Sequence, residues 1–227
     1  MQRFNLPQLQ ELSRKVSLQR YSAIQKIVFL EDLIENEDRW DIYRDSQSGE
    51  VIDMFISGIE DSLLLWCARN WETGTEQQSI ERVIHLIQAI EPDVEKLNLD
   101  WGSDLNLGGI EANWRADLDY IFQFSLSNAQ KVNLNEVRVL RTERHAHSLC
   151  SSRDRKKLFP NGFKTNATKY DLLELAKLSI GLIDKSEYVL CRRLRSFEDT
   201  ATKFRDTCDT FWAALPVFRI SEQNLSP

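Results

Sequence analysis

The chain has 227 residues, 42% of them apolar and 28% charged, with only 8 Gly and 5 Pro. That length fits one domain over 1–227 that buries roughly 70–75% of its extended-chain surface. So few turn formers argue against a sandwich or barrel, which needs a turn signal every ~8–12 residues. The net charge of −6 argues against nucleic-acid binding through the whole surface.

In chain order, the apolar spacing is helical almost throughout. Leu9, Leu12, Val16, Ile24, Ile27, Val28, Leu30, Leu33 and Ile34 predict a first helix over 7–37. After the break at Ser46-Gln47-Ser48-Gly49, Ile52, Phe55, Ile56, Ile59, Leu63 and Trp66 predict a second over 50–70. Thr73-Gly74-Thr75 reads as a stop and restart. A third helix, 77–97, carries Ile80, Val83, Ile84, Ile87, Ile90, Val94 and Leu97, with Pro92 expected to kink it or end it early.

Gly102, Gly108 and Gly109 mark a loop before a fourth helix over Ile110–Leu126, and a fifth is expected over 128–149. Residues 150–167 read as the one long loop. Thr168 with Asp171 resembles a capping box that starts a helix reaching Cys191 or beyond. A last helix, with Phe197, Phe204, Phe211 and Trp212 toward the core, ends near Leu215-Pro216. The expected fold is therefore all-α, a bundle of about six to seven helices with an extra C-terminal one.

The longest uncharged run, Tyr120–Gln130, is too short for the ~20 residues of a membrane span. Residues 1–5 are followed by no apolar signal core. Cys67, Cys150, Cys191 and Cys208 form no C-x-x-C pair and are expected as free thiols. These features predict a cytoplasmic protein with no membrane partner. No phosphate loop, G-x-S-x-G elbow or G-x-G-x-x-G is present, and three histidines without a cysteine cluster give no metal site. Accordingly, no cofactor is expected. His85 stands alone and reads as structural or surface.

The charge is uneven. Between Arg138 and Lys157, seven basic residues face only Glu143 and Asp154, so this segment carries +5 and the remainder −11. Within it lies Arg141-Thr142-Glu143-Arg144-His145-Ala146-His147. Histidine changes charge near pH 7, which suits proton transfer, and arginine offers a fixed fork of donors matched to phosphate oxygens. Together they meet the needs of metal-free RNA cleavage: an acid–base group for the 2′-hydroxyl or leaving oxygen, and a cation for charge building on phosphorus. At about 100° per residue, Arg141 and His145 share a helix face, whereas Arg141 and His147 diverge by about 120°. The latter pair converges only if the helix bends or ends there, or if a second subunit completes the site. The bland alternative is a solvated helix end with histidines near its C-terminal dipole.

Arg141 through Ala146-His147 resembles the signature of the HEPN superfamily (higher-eukaryote-and-prokaryote nucleotide-binding domains). The form R-x-x-x-x-A-H is similar to its abortive-infection U-type branch, which often reads "RNKxxAH". The segment Leu63–Trp71 with Ala68-Arg69, the helix start at Ile80–Ile84, and Tyr170–Ile183 after the loop are similar to the same branch, so the resemblance covers roughly residues 20–190. It implies a metal-independent endoribonuclease, acting in phage defence or as a toxin with an antitoxin partner. Arg141 and His147 match the catalytic pair, in a site formed between two subunits of a homodimer.

The chain departs from the pattern at Thr142, where Asn or Asp is common, and at Leu149, where members modified by partner nucleotidyltransferases carry tyrosine. His145 is an extra candidate that could share or replace the role of His147. Arg138, Arg144, Arg153, Arg155, Lys156 and Lys157 are the candidate RNA-backbone contacts, and the resemblance also admits a catalytically inactive dimerisation or binding module.

Overall fold

Asn5 opens the first helix, α1 (Leu6–Ser17), by accepting the Gln8 backbone N–H, and the Gln8 side chain returns the bond to Asn5 N–H. The computed structural model describes residues 5–36, 49–74, 77–90, 94, 108–149 and 167–214, except the side chains of 108–112, 143–149 and 214. Every regular element among the described residues is an α-helix. After α1 come α2 (Arg20–Glu35), α3 (Gly49–Asn70), α4 (Ile80–Ala89), α5 (Gly108–Gln123), α6 (Asn128–Leu149), α7 (Lys169–Cys191) and α8 (Phe197–Ala214). None is long and apolar enough to cross a membrane. Pro92, Gly102, Cys150 and nearly all of the 150–167 loop lie outside the described residues.

The expected helix over 7–37 is two helices, broken at Leu18-Gln19 with no glycine or proline to announce it. The cause is tertiary. Asp184 and Glu187, three positions apart on one face of α7, take Arg20 and Ser17 from either side of the break. Ser17 Oγ donates to Glu187 Oε1 at 2.7 Å. Arg20 forks onto Asp184, with Nη2 to Oδ2 at 2.7 Å. Arg195 Nε lies 3.1 Å from the other oxygen of the fully buried Glu187, an ion pair without hydrogen-bond geometry. The turn lets α1 pack on α4 and α7 while α2 packs on α3, α7 and α8.

Two other boundaries also move. Helix α4 stops at Ala89, three residues before Pro92, and so falls short of the expected 97. Helix α5 takes in Gly108 and Gly109 and stops at Gln123, where the Gln88 amide of α4 donates to the carbonyls of Ile121 and Phe122. Thr168 and Asp171 form the expected capping box of α7, which runs to Cys191 and ends in a left-handed Arg192.

Helix α7 lies at the centre of the bundle, against all six helices before it. Leu175, Ala176, Ile180, Ile183 and Val189 are buried there, and side chains from all eight helices join one hydrophobic cluster. The last helix covers α2: Trp212 stacks on Phe29 at 5.9 Å and its Nε1 donates to Asp32 Oδ2 at 2.6 Å. Cys67 and Cys191 are free thiols, and burial pushes both above the ordinary thiol range.

Removing one partner of a buried pair leaves an uncompensated charge. Arg20→Ala is expected to lower stability by about 3–5 kcal/mol in urea titration. A loss below about 1 kcal/mol would show that Arg20 does not set the α1–α2 break.

Candidate functional site

The segment after α3 is fixed before any site residue reaches it. Trp71, fully buried, donates from Nε1 to Ser179 Oγ of α7 at 2.8 Å. Ser79, also fully buried, accepts the Arg82 backbone N–H as the N-cap of α4 and donates from Oγ to the Glu72 carbonyl at 2.7 Å. Residues 71 and 72 are thereby pinned between the end of α3 and the start of α4.

Helix α6 docks two arginines on this pinned turn. Arg138 donates from Nη2 to the Trp71 carbonyl, one of the acceptors left open at the end of α3. Arg141 donates from Nη1 to Glu72 Oε1 at 2.8 Å, with each side chain about one-third exposed. Among the described residues this is the one hydrogen-bond partner of Arg141. Thr142 Oγ1 donates back to the Arg138 carbonyl at 2.9 Å and supports the helix.

Glu81 of α4 lies in the same neighbourhood. Burial pushes its carboxyl above the ordinary range, and the nearby charges of Arg138 and His85 oppose that shift. His85 is mostly exposed, 3.9 Å from Glu81, which matches a surface role. Among the described residues no group of three or more His, Cys, Asp or Glu side chains is placed to hold a metal ion.

The structure brings Arg138 and Arg141 together on the α3 turn. Helix α6 then continues without a break to Leu149. Positions 141 and 147 are therefore six residues apart on one regular helix, diverging by about 120° and about 9 Å along its axis. Positions 141 and 145 remain one turn apart on the same face. The side chains of Arg144, His145 and His147 lie outside the described residues, as do Arg153, Arg155, Lys156 and Lys157 altogether.

The partners that sequence reasoning missed are Glu72 and Ser79. Glu72 is 69 positions from Arg141, and nothing local announces the pairing. Ser79 did carry a signal, as a good N-cap residue immediately before the apolar Ile80, but the reading started that helix at 77. No protein-family model, curated protein or solved structure matches the chain.

The two arginines are expected to separate in stability assays. A partly exposed ion pair contributes under about 1 kcal/mol, whereas a charged donor on an otherwise open carbonyl contributes about 1.5–3 kcal/mol. Chemical denaturation should therefore show Arg138→Ala costing more than Glu72→Ala. The reverse order would mean that Glu72, not the Trp71 carbonyl, anchors α6.

Proposed function

We propose that the chain is a HEPN-type, metal-independent endoribonuclease that acts as a homodimer in the cytoplasm, in phage defence by abortive infection or as a toxin with an antitoxin partner. The observation that carries this reading is the placement of Arg141. Its guanidinium is oriented by one carboxylate, partly exposed, on a continuous helix that also carries His145 and His147. That is what an arginine waiting for a phosphate requires: a fixed direction with donors to spare.

In the proposed reaction a histidine takes the 2′-hydroxyl proton, and the 2′-oxygen bonds to phosphorus. The bond from phosphorus to the 5′-oxygen breaks, and that oxygen takes a proton from a second, protonated histidine. Arg141 stabilises the negative charge that gathers on the phosphorus oxygens. Position 145 supplies the histidine sharing the Arg141 face. Position 147, turned away on its own helix, acts across a cleft completed by a second copy. Arg138 is committed to the Trp71 carbonyl. Backbone contacts with RNA then fall to Arg144, Arg153, Arg155, Lys156 and Lys157.

A second reading, a catalytically inactive dimerisation or binding module, draws support from the Arg141–Glu72 pair itself, which also suits a purely structural arginine.

Purified protein is expected to cut single-stranded RNA in EDTA and leave a 2′,3′-cyclic phosphate, with His147→Ala losing roughly 10²–10⁴-fold in rate. Cleavage that needs a divalent metal, or that survives the double change His145→Ala and His147→Ala, overturns the nuclease. Loss of binding but no turnover in any variant selects the second reading. A monomer by light scattering counts against the shared site.

A further inference from the structure

Glu72 also borders a polar cleft of about 410 Å³, the lower end of the size range of small-molecule sites. Its walls come from three separate pieces of chain. Lys15 and Gln19 border it from the α1–α2 break, Trp66 and Arg69 from the last turns of α3, and Gln77 and Gln78 from the turn before α4. Glu72 belongs to both places: it lines the cleft and holds Arg141.

The chemistry of the walls is specific in kind. The Arg69 side chain is exposed and has no ion-pair or hydrogen-bond partner among the described residues, although it is a fixed cation in the last turn of a helix. Among the described residues the Lys15 side chain pairs only with Glu11, at 3.5 Å on the exposed face of α1, a pairing too weak to compete with a phosphate. Gln19 occupies the N-cap position of α2 without making a cap hydrogen bond, so its amide is open. Gln78 is exposed and equally uncommitted among the described residues.

Primary amides present a donor and an acceptor side by side, the pattern that matches the edge of a nucleobase. Two cations beside them match phosphate oxygens. The one carboxylate on the wall is already engaged by Arg141, so it does not stand as a free negative charge against an anion.

We infer that this cleft holds one nucleotide of single-stranded RNA next to the bond to be cut, with Lys15 and Arg69 on its phosphate and the Gln19 and Gln78 amides on its base. The inference rests on the endoribonuclease reading and deepens it. RNA recognition then extends beyond the basic segment 138–157 to a surface built by α1 and α3. Single-stranded RNA is the fitting form, because its unstacked bases offer their edges to side chains in a way a duplex does not.

The test is fluorescence anisotropy of a labelled single-stranded oligoribonucleotide in EDTA, with every protein carrying His147→Ala so that the strand persists. Arg69→Ala and Lys15→Ala are each expected to weaken binding about tenfold, the size of one charge-assisted hydrogen bond lost. Each should also flatten the dependence of log K on log salt by about 0.7. Gln78→Ala, an exposed change that does not threaten the fold, is expected to weaken binding with no change in salt slope. Uridine 3′-monophosphate should displace the strand at lower concentration than inorganic phosphate does, and should itself bind more weakly than the strand.

Wild-type affinity and slope in all three variants overturn the cleft, as does displacement by inorganic phosphate as effective as by the nucleotide. A mononucleotide binding as tightly as the strand assigns the cleft to a free nucleotide and overturns its place on an RNA track. The two readings fail separately. If active-site-intact protein does not cut RNA while the cleft variants still lose binding, the nuclease falls and the cleft stands. Normal cleavage with unaltered binding in the variants leaves the nuclease and removes the cleft.

Discussion

The bundle depends on two carboxylates that a hydrophobic helix carries into its own core. Asp184 and Glu187 lie on α7 beside its apolar core residues, with Lys185 and Ser186 between them, and Glu187 has no exposed surface at all. Burial, with a smaller push from the Glu187 charge, holds Asp184 above the ordinary carboxylate range, and the Arg20 fork and Arg195 pull against that shift. Such groups are tolerable only with partners of good geometry. Supplying them dictates where α1 must end, where α2 must begin, and that Arg195 must fold back after α7. The ionic cluster therefore specifies an arrangement. The apolar contacts around it supply most of the burial.

The candidate site inherits part of its order from the same helix, through Ser179, and part from Ser79, the N-cap of α4. Ser179 of α7 fixes Trp71, and the Trp71 carbonyl receives Arg138. Ser79 fixes Glu72, and Glu72 receives Arg141. Each step joins a buried, immobile group to a less buried one. The register of α6 is consequently set at its middle, by two arginines one turn apart, and the stretch carrying His145 and His147 extends beyond that clamp. The uneven charge fits the same arrangement. Two of the seven basic side chains in 138–157 are used to hold α6 in place, so the segment offers a partner less free charge than its +5 suggests.

Where a boundary is encoded by neighbouring residues, it was legible in the sequence. The α6 limits at 128 and 149, the Thr168–Asp171 capping box and the buried Phe204 and Trp212 of α8 all follow from periodicity and cap chemistry. The α1–α2 break was not, because its cause lies some 164–170 positions away on α7 and the local residues are all adequate helix formers. The end of α5 is another case, set by an amide from α4. For the site, residue types and spacing pointed to Arg141 and the histidines. Neither the Glu72 partner nor the cleft beyond it has a local signature, since three distant segments build them. Of the routes by which 141 and 147 could converge, an end of the helix between them is absent, for α6 is continuous through both positions.

What the Glu72 contact means for Arg141 turns on how much of the guanidinium it occupies. Arginine has five N–H donors, and Glu72 engages Nη1 alone, leaving the Nε edge and the second amino group for another acceptor. At one-third exposure the ion pair is also weak, under about 1 kcal/mol, so a phosphodiester arriving at the open edge need not displace the carboxylate to bind. The carboxylate then limits rotation of the fork, which reduces the ordering cost when a phosphate binds. Arg138 likewise engages a single donor, Nη2, but its acceptor is an open helix carbonyl on a half-buried turn. Three residues apart and held by the same turn, the two arginines differ in the acceptor each faces, a main-chain oxygen that cannot move or a carboxylate on a cleft that can accept a ligand.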